Sequence, residues 1–123
     1  MTVMTAPRQL ALPGTIPAPR RSKTGLSRWR ALLVARWQDR LEELTDLSVA
    51  FHDAALADGT RNDESRRLLS RQAVVARYAL AETDKALHRL AAGEFGRCED
   101  CSGDIAAARL LAEPEARYCE RCG

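Results

Sequence analysis

The fold of this 123-residue chain is decided by residues 93–122, which read GEFGRCEDCSGDIAAARLLAEPEARYCERC. This stretch holds all four cysteines as two pairs, Cys98-x2-Cys101 and Cys119-x2-Cys122, separated by seventeen residues. Each pair forms a tight knuckle, and two knuckles bring four thiolates to one Zn²⁺. The spacing is typical of zinc sites, so we predict one Zn²⁺ per chain, with a redox disulfide or an iron–sulfur site as alternatives.

The predicted zinc has a structural role. Four cysteines close the tetrahedral coordination shell and leave no position for a catalytic water. The metal would stabilise residues 94–123, which contain few large apolar side chains. The sequence has no Gly-rich phosphate loop, no zinc-protease motif and no nucleophile signature. We therefore expect neither an enzyme nor a small-molecule substrate.

Two long stretches without proline or glycine precede the knuckles. Their apolar seams follow the alternating steps of three and four that are typical of coiled coils. The first seam is Val34, Trp37, Leu41, Leu44, Ser48, Phe51 and Ala55, and the second is Leu69, Ala73, Ala76, Leu80, Thr83, Leu87 and Leu90. Asn62 or Asp63 is expected to cap the second helix at its start, and Gly93 at its end.

Two helices joined by a short turn must fold back on each other to bury these seams. The predicted fold is therefore mainly α: an antiparallel coiled-coil hairpin at 26–93 with its tip near 57–64, then a four-cysteine zinc finger at 94–123. Trp29 and Trp37 are expected in the core, because they lie at helical spacing beside leucines. His52 and His88 are expected on the surface, since four thiolates already complete a zinc site.

The N-terminal residues 1–25 contain four of the five prolines and are predicted to form a disordered basic tail. Residues 1–40 have eight Lys or Arg and one Asp (+7), and the rest has eleven basic and sixteen acidic residues (−5), which gives +2 overall. No signal-peptide core and no apolar run of about 20 residues is present. We therefore expect a cytoplasmic protein without membrane contact, where clustered cysteines more often bind metal than form disulfides.

The motifs around the cysteines resemble those of the DksA/TraR family. They are Ala86-Leu87-His88-Arg89-Leu90, Gly93-Glu94-Phe95-Gly96-Arg97-Cys98-Glu99-Asp100-Cys101, Ile105, Arg109-Leu110, Pro114 and Cys119-Glu120-Arg121-Cys122. The close match covers residues 86–122, and the hairpin agrees in layout and length. The resemblance implies a bacterial transcription regulator that binds RNA polymerase. Members insert the hairpin into the secondary channel, where its acidic tip approaches the active site while the zinc part docks outside.

The hairpin tip departs from the family pattern. The family's Asp-x-x-Asp-x-Ala motif falls on Ala55, Asp58 and Thr60, so only Asp58 is retained. Residues 41–64 nevertheless contain seven acids and one base (−6), against six bases and two acids (+4) in residues 65–93. We expect Asp58, Thr60 and Asp63 to contact the polymerase. The second helix has one lysine, Lys85, so the sequence does not support a dependence on ppGpp.

Two other functions compete with this interpretation. A zinc-ribbon module could bind DNA or a protein through the basic tail, although residues 94–123 contain seven acids and four bases (−3) and a phosphate-facing ribbon should be basic. A thiol redox sensor is disfavoured, because Glu99, Asp100 and Glu120 lie beside the cysteines and negative charge raises the pKa of a thiol. We expect the chain to be a monomer.

Overall fold

The computed structural model describes residues 23–56 and 60–123. It contains the helices α1 (Lys23–Leu56), α2 (Thr60–Ala91) and α3 (Ala107–Ala112). Within these residues the only β pairing is an isolated antiparallel bridge between Arg97 and Asp104. The predicted mainly helical fold with two long packed helices is confirmed. None of the described helices has the length and apolarity to cross a membrane.

Both long helices begin earlier than the sequence pattern indicates. α1 begins at Lys23 and includes Gly25, which is buried, whereas the sequence pattern places the end of the tail at residue 25. A glycine costs about 1 kcal/mol inside a helix but does not end it. α2 begins at Thr60, so Asp63 lies in its first turn, where the helix dipole favours a negative charge. The remainder of the predicted tail, residues 1–22, lies outside the described residues.

Gly93 caps α2 as predicted. Its φ of 77° lies in the left-handed region that favours glycine. The amide of Gly93 donates to the Leu90 carbonyl (3.2 Å), and the amide of Glu94 donates to the Arg89 carbonyl (2.8 Å). This pair of hydrogen bonds defines the Schellman motif, which satisfies carbonyls that a helix end otherwise leaves without partners.

The seam of α2 is confirmed at every position. Ala73, Ala76, Thr83 and Leu90 are buried, and Leu69, Leu80 and Leu87 are half-buried. The fully buried hydroxyl of Thr83 donates to the Ala79 carbonyl (3.1 Å), so the polar group has a partner.

The seam predicted for α1 is wrong at five of its seven positions, each by one residue. Val34, Leu41, Ser48, Phe51 and Ala55 are exposed, and the less exposed stripe runs through Leu33, Trp37, Arg40, Leu44, Leu47, Ala50 and Ala54. Arg40 occupies a seam position and is half-buried, and its long aliphatic stem can cover apolar surface there. The arginine and the two small alanines give a weak sequence signal, whereas the exposed Leu41 and Phe51 give a strong one.

The chain divides into two compact units. The hairpin unit is Ala35–Asp84, and the base unit comprises residues up to Val34 together with Lys85–Gly123. The core of the base unit consists of Trp29, Leu33, Ala86, Leu90, Phe95, Cys98, Ile105, Leu110, Ala116 and Cys119. Trp29 is fully buried, and its ring lies 5.4 Å from that of Phe95 at a tilt of 51°. Trp29 is therefore a core residue, as predicted, and the four cysteines belong to the base unit.

Candidate metal centre

The four cysteines meet in the base unit. Their Sγ atoms all lie within 4.8 Å of one another, and Cys101 Sγ is 3.8 Å from Cys119 Sγ. A tetrahedron with Zn–S bonds of about 2.3 Å has S–S edges of about 3.8 Å, so the thiols fit a zinc ion. Cys98 and Cys119 are buried, while Cys101 and Cys122 reach the surface. His52 and His88 are exposed and do not belong to the cluster.

The first knuckle is held by its own backbone. The Arg97–Asp104 bridge brings the two sides of the turn together. Two hydrogen bonds flank the bridge, from the Cys98 amide to the Gly103 carbonyl (2.8 Å) and from the Ile105 amide to the Gly96 carbonyl (2.8 Å). The turn is tight enough that a Cβ added at Gly103 would lie 3.4 Å from the Sγ of Cys101. A short β-turn structure therefore sets the direction of the first two thiols.

The second knuckle is a simpler turn. The amides of Cys122 and Gly123 both donate to the Cys119 carbonyl, at 3.1 Å and 2.9 Å. One backbone hydrogen bond connects its approach to the first knuckle, from the Glu99 amide to the Arg117 carbonyl (2.8 Å). The second knuckle thus depends more on neighbouring residues for its placement than the first.

Backbone amides lower the pKa of the first cysteine of each knuckle. The amide of Cys101, opposed by burial and assisted by the amides of Cys119 and Asp100, lowers the pKa of Cys98 to about 6. The amides of Cys122 and Arg121 lower the pKa of Cys119 in the same way. Hydrogen bonding to the other cysteine sulfurs raises the pKa of Cys122, because the thiols share their protons. A divalent cation would remove those protons, since a coordinating thiol is deprotonated.

Two arginines that the sequence does not mark as functional hold the approach to the second knuckle. Arg89 on α2 donates through Nη2 to the Glu115 carbonyl (3.3 Å), and its Nη1 lies 3.9 Å from Glu99 Oε2. Arg109 on α3 donates through Nε to the Tyr118 carbonyl (3.1 Å). Both arginines belong to the motifs that carry the family resemblance. Their contacts could not be inferred, because they depend on the path of residues 113–118.

The predicted polymerase-contacting residues lie outside this centre. Asp58 falls within residues 57–59, which the structure does not describe, and Thr60 is described only as the first residue of α2. The carboxylate of Asp63 pairs with Arg66, three residues further along α2, and both side chains are partly exposed. A role for these three residues at the tip therefore stays a prediction.

Comparison with solved structures decides the fold. The transcription factor DksA2 from Pseudomonas aeruginosa superposes with a TM-score of 0.82 over 94% of this chain and 92% of its own, at 24% sequence identity. The chain has the DksA fold. The fold implied by the sequence resemblance is thus confirmed, although no family model matches the chain.

One curated relative is an uncharacterized protein from Aquifex aeolicus, which is 38% identical over 58 residues. The match covers 47% of this chain and 40% of that protein, so less than half of the relative's length is matched. Its description assigns no activity. The DksA fold and the four-thiol cluster are therefore the observations on which a function can be built.

Proposed function

We propose that this chain is a transcription regulator of the DksA/TraR family, which binds RNA polymerase through the secondary channel and carries a structural Zn²⁺. The observation that carries the proposal is the presence of four converging thiols within a DksA fold that covers 94% of the chain. Neither feature alone would suffice, because zinc knuckles occur in many folds and a fold hosts many functions. A polymerase partner also accords with the cytoplasmic location and non-enzymatic role expected from the sequence.

Cys98, Cys101, Cys119 and Cys122 would hold the zinc, which supplies a cross-link between the two knuckles and no chemistry. Cys98 and Cys119 also belong to the core of the base unit. Four protein ligands leave no open position on the ion. The metal therefore stabilises the base unit.

The hairpin unit exposes charged side chains of both signs. Glu42, Glu43, Asp46 and Asp53 are exposed on α1, and Arg67, Arg71 and Arg77 are exposed on α2. Acidic side chains at the tip would interact with basic polymerase residues or with the catalytic Mg²⁺ site. Because the carboxylate of Asp63 already pairs with Arg66, we expect Asp58 to contribute more than Asp63 to polymerase binding.

The test is direct binding of the zinc-loaded chain to core RNA polymerase, with a known secondary-channel protein as the competitor. Wild type, Asp58→Asn and Asp39→Asn are compared; Asp39 is exposed on α1, seventeen residues before Leu56, and serves as the charge-matched control. We expect the competitor to displace the chain. We also expect Asp58→Asn to lose activity on a responsive promoter while Asp39→Asn retains it.

Absence of binding at micromolar concentration contradicts the proposal, and so does binding that the competitor leaves unchanged. An active Asp58→Asn variant removes the assigned tip role. DNA binding would then be measured against salt with and without residues 1–22. A steep salt dependence that this deletion abolishes would favour a nucleic-acid-binding module instead.

A further inference from the structure

We propose that Arg89 and Arg109 are positioning residues of the metal centre, which hold the chain before Cys119 so that the second knuckle faces the first. The inference rests on the proposed metal site. It assigns these two side chains a role in metal retention that neither the spacing of the cysteines nor the fold assigns to them.

The first line of support is the difference between the knuckles. The first is framed by a β-bridge and by backbone hydrogen bonds on both sides of it. Residues 114–118, which lead into the second, contain no helix or strand. Backbone carbonyls in a buried or half-buried segment need partners, and here those partners come largely from side chains.

Three backbone carbonyls of this segment accept hydrogen bonds from elsewhere in the base unit. The carbonyl of Arg117 accepts from the amide of Glu99, whereas those of Glu115 and Tyr118 accept from Arg89 and Arg109. Tyr118 immediately precedes Cys119, so the Arg109 hydrogen bond acts one peptide unit away from a metal ligand. Arginine side chains thus donate hydrogen bonds to backbone carbonyls, as the amides of a neighbouring strand would in a β-sheet.

Arg89 also reaches the first knuckle. Its side chain is only 14% exposed, and its guanidinium lies near Glu99, which follows Cys98 directly. Arg117 approaches the other carboxylate oxygen of Glu99 at 4.0 Å. A guanidinium addresses two acceptors through a rigid planar fork of donors, whereas a lysine ammonium is a compact point charge without that fork. Arg89 therefore connects the last turns of α2 to both knuckles.

Outer-shell partners of this kind change metal affinity by about 10- to 100-fold when they are removed. We expect Arg89→Met and Arg109→Met each to bind Co²⁺ about tenfold more weakly and to release Zn²⁺ faster to a chelator. The double variant should show a larger effect. The Co²⁺ spectrum should retain its tetrahedral thiolate bands, because all four ligands remain.

Arg121→Met is the matched control. Arg121 lies between Cys119 and Cys122, its side chain is exposed, and its substitution removes the same charge at a position adjacent in sequence to the ligands. We expect this variant to retain zinc like the wild type. If it releases zinc as fast as Arg89→Met, the effect is one of charge and the positioning role is overturned.

Amide hydrogen exchange of the zinc-loaded chains separates local positioning from general loss of stability. We expect the Arg89 and Arg109 variants to accelerate exchange at Cys122 and Gly123 more than at Cys98 and Ser102, because the amides of Cys98 and Ser102 donate to backbone carbonyls of the first knuckle itself. Equal acceleration at all four amides overturns the inference. Where a methionine variant does not fold, Arg89→Lys and Arg109→Lys replace it and should show the same local change.

The two proposals fail in different ways. A wild-type chain that takes up neither Zn²⁺ nor Co²⁺ overturns both. A wild-type chain that binds the metal, with arginine variants that match it in affinity and release rate, overturns this inference alone.

Discussion

The base unit and the hairpin unit differ in the side chains that they bury. The base unit fully buries Trp29, Leu33 and Leu110 and adds four thiols that can bind a metal. Within the described part of the hairpin unit, the buried residues are Ala73, Ala76 and Thr83. We infer that the base gains stability from large buried side chains, whereas the hairpin depends on packing of two helices along small side chains. Large apolar residues of the hairpin, including Val75 and Tyr78, remain exposed.

The difference in packing implies different roles for the two units. The large apolar side chains of the base pack into its core, and its four cysteines form the candidate metal site. Side chains on the outside of the hairpin contribute little to packing, and their charges can select a binding surface. We therefore expect substitutions in the base to affect stability first, and substitutions on the hairpin surface to affect binding first.

The largest expected effect is loss of the metal. Cys119→Ser removes a buried ligand, and structural zinc contributes on the order of 10 kcal/mol in small zinc domains. We expect zinc content to fall well below one ion per chain. Hydrogen exchange should accelerate at residues 94–123 much more than in the hairpin unit. Full zinc content and unchanged exchange would contradict the contrast between the units.

The two tryptophans provide the next comparison. Trp29→Ala should destabilise the protein by about 3–5 kcal/mol, because it empties a fully buried site against Phe95. Trp37 is only half-buried in the hairpin unit, so Trp37→Ala should cost clearly less. Urea unfolding of both variants, followed by circular dichroism, measures the difference. Equal losses would show that the hairpin is packed as tightly as the base.

Close approach of the helices in the hairpin unit can be tested by overpacking. Ala76 is 3% exposed, so Ala76→Leu should cost about 1–3 kcal/mol by forcing the helices apart. Ala81 lies on the same helix but is exposed, and Ala81→Leu should be nearly neutral. The melting temperatures of the two variants, compared with that of the wild type, measure the difference. A stable Ala76→Leu variant would mean that the hairpin has room at its centre.

The smallest effect concerns the register of α1. Ser48 is exposed and Leu47 is half-buried, so Ser48→Leu should change stability by less than about 0.5 kcal/mol. In the seam that the sequence pattern predicts, the same substitution would fill a gap in the apolar stripe and stabilise the hairpin. A marked rise in melting temperature would support the seam predicted from the sequence and contradict the one in the structure.

The outcome for α1 shows what a sequence pattern can and cannot decide. In α2 the apolar and small residues coincide with the seam, and Ala73, Ala76 and Thr83 are buried as predicted. In α1 the seam includes Arg40, whose charge conceals it, and the apolar periodicity then follows the exposed Val34, Leu41 and Phe51 instead. The pattern identified the helices and their pairing correctly, but the helix face was settled by packing.

The metal centre shows the same limit. Its four thiols follow from the spacing of the two knuckles, since each C-x2-C pair is a local structure. The contacts of Arg89 and Arg109 join residues that are far apart in sequence or separated by an irregular segment. No local preference specifies such contacts, so they required the structure.

The contact of Trp29 with Phe95 also bears on how the chain folds. The two rings are 66 positions apart, so bringing them together directly would carry a large loop-closure entropy. Pairing α1 with α2 from their turn proceeds through much shorter steps and shortens the remaining loop. We expect the hairpin to form first and the base to close last, with metal uptake completing it. In a Trp37→Phe background, stopped-flow fluorescence of Trp29 should then lag behind the helical signal, and simultaneous phases would exclude this order.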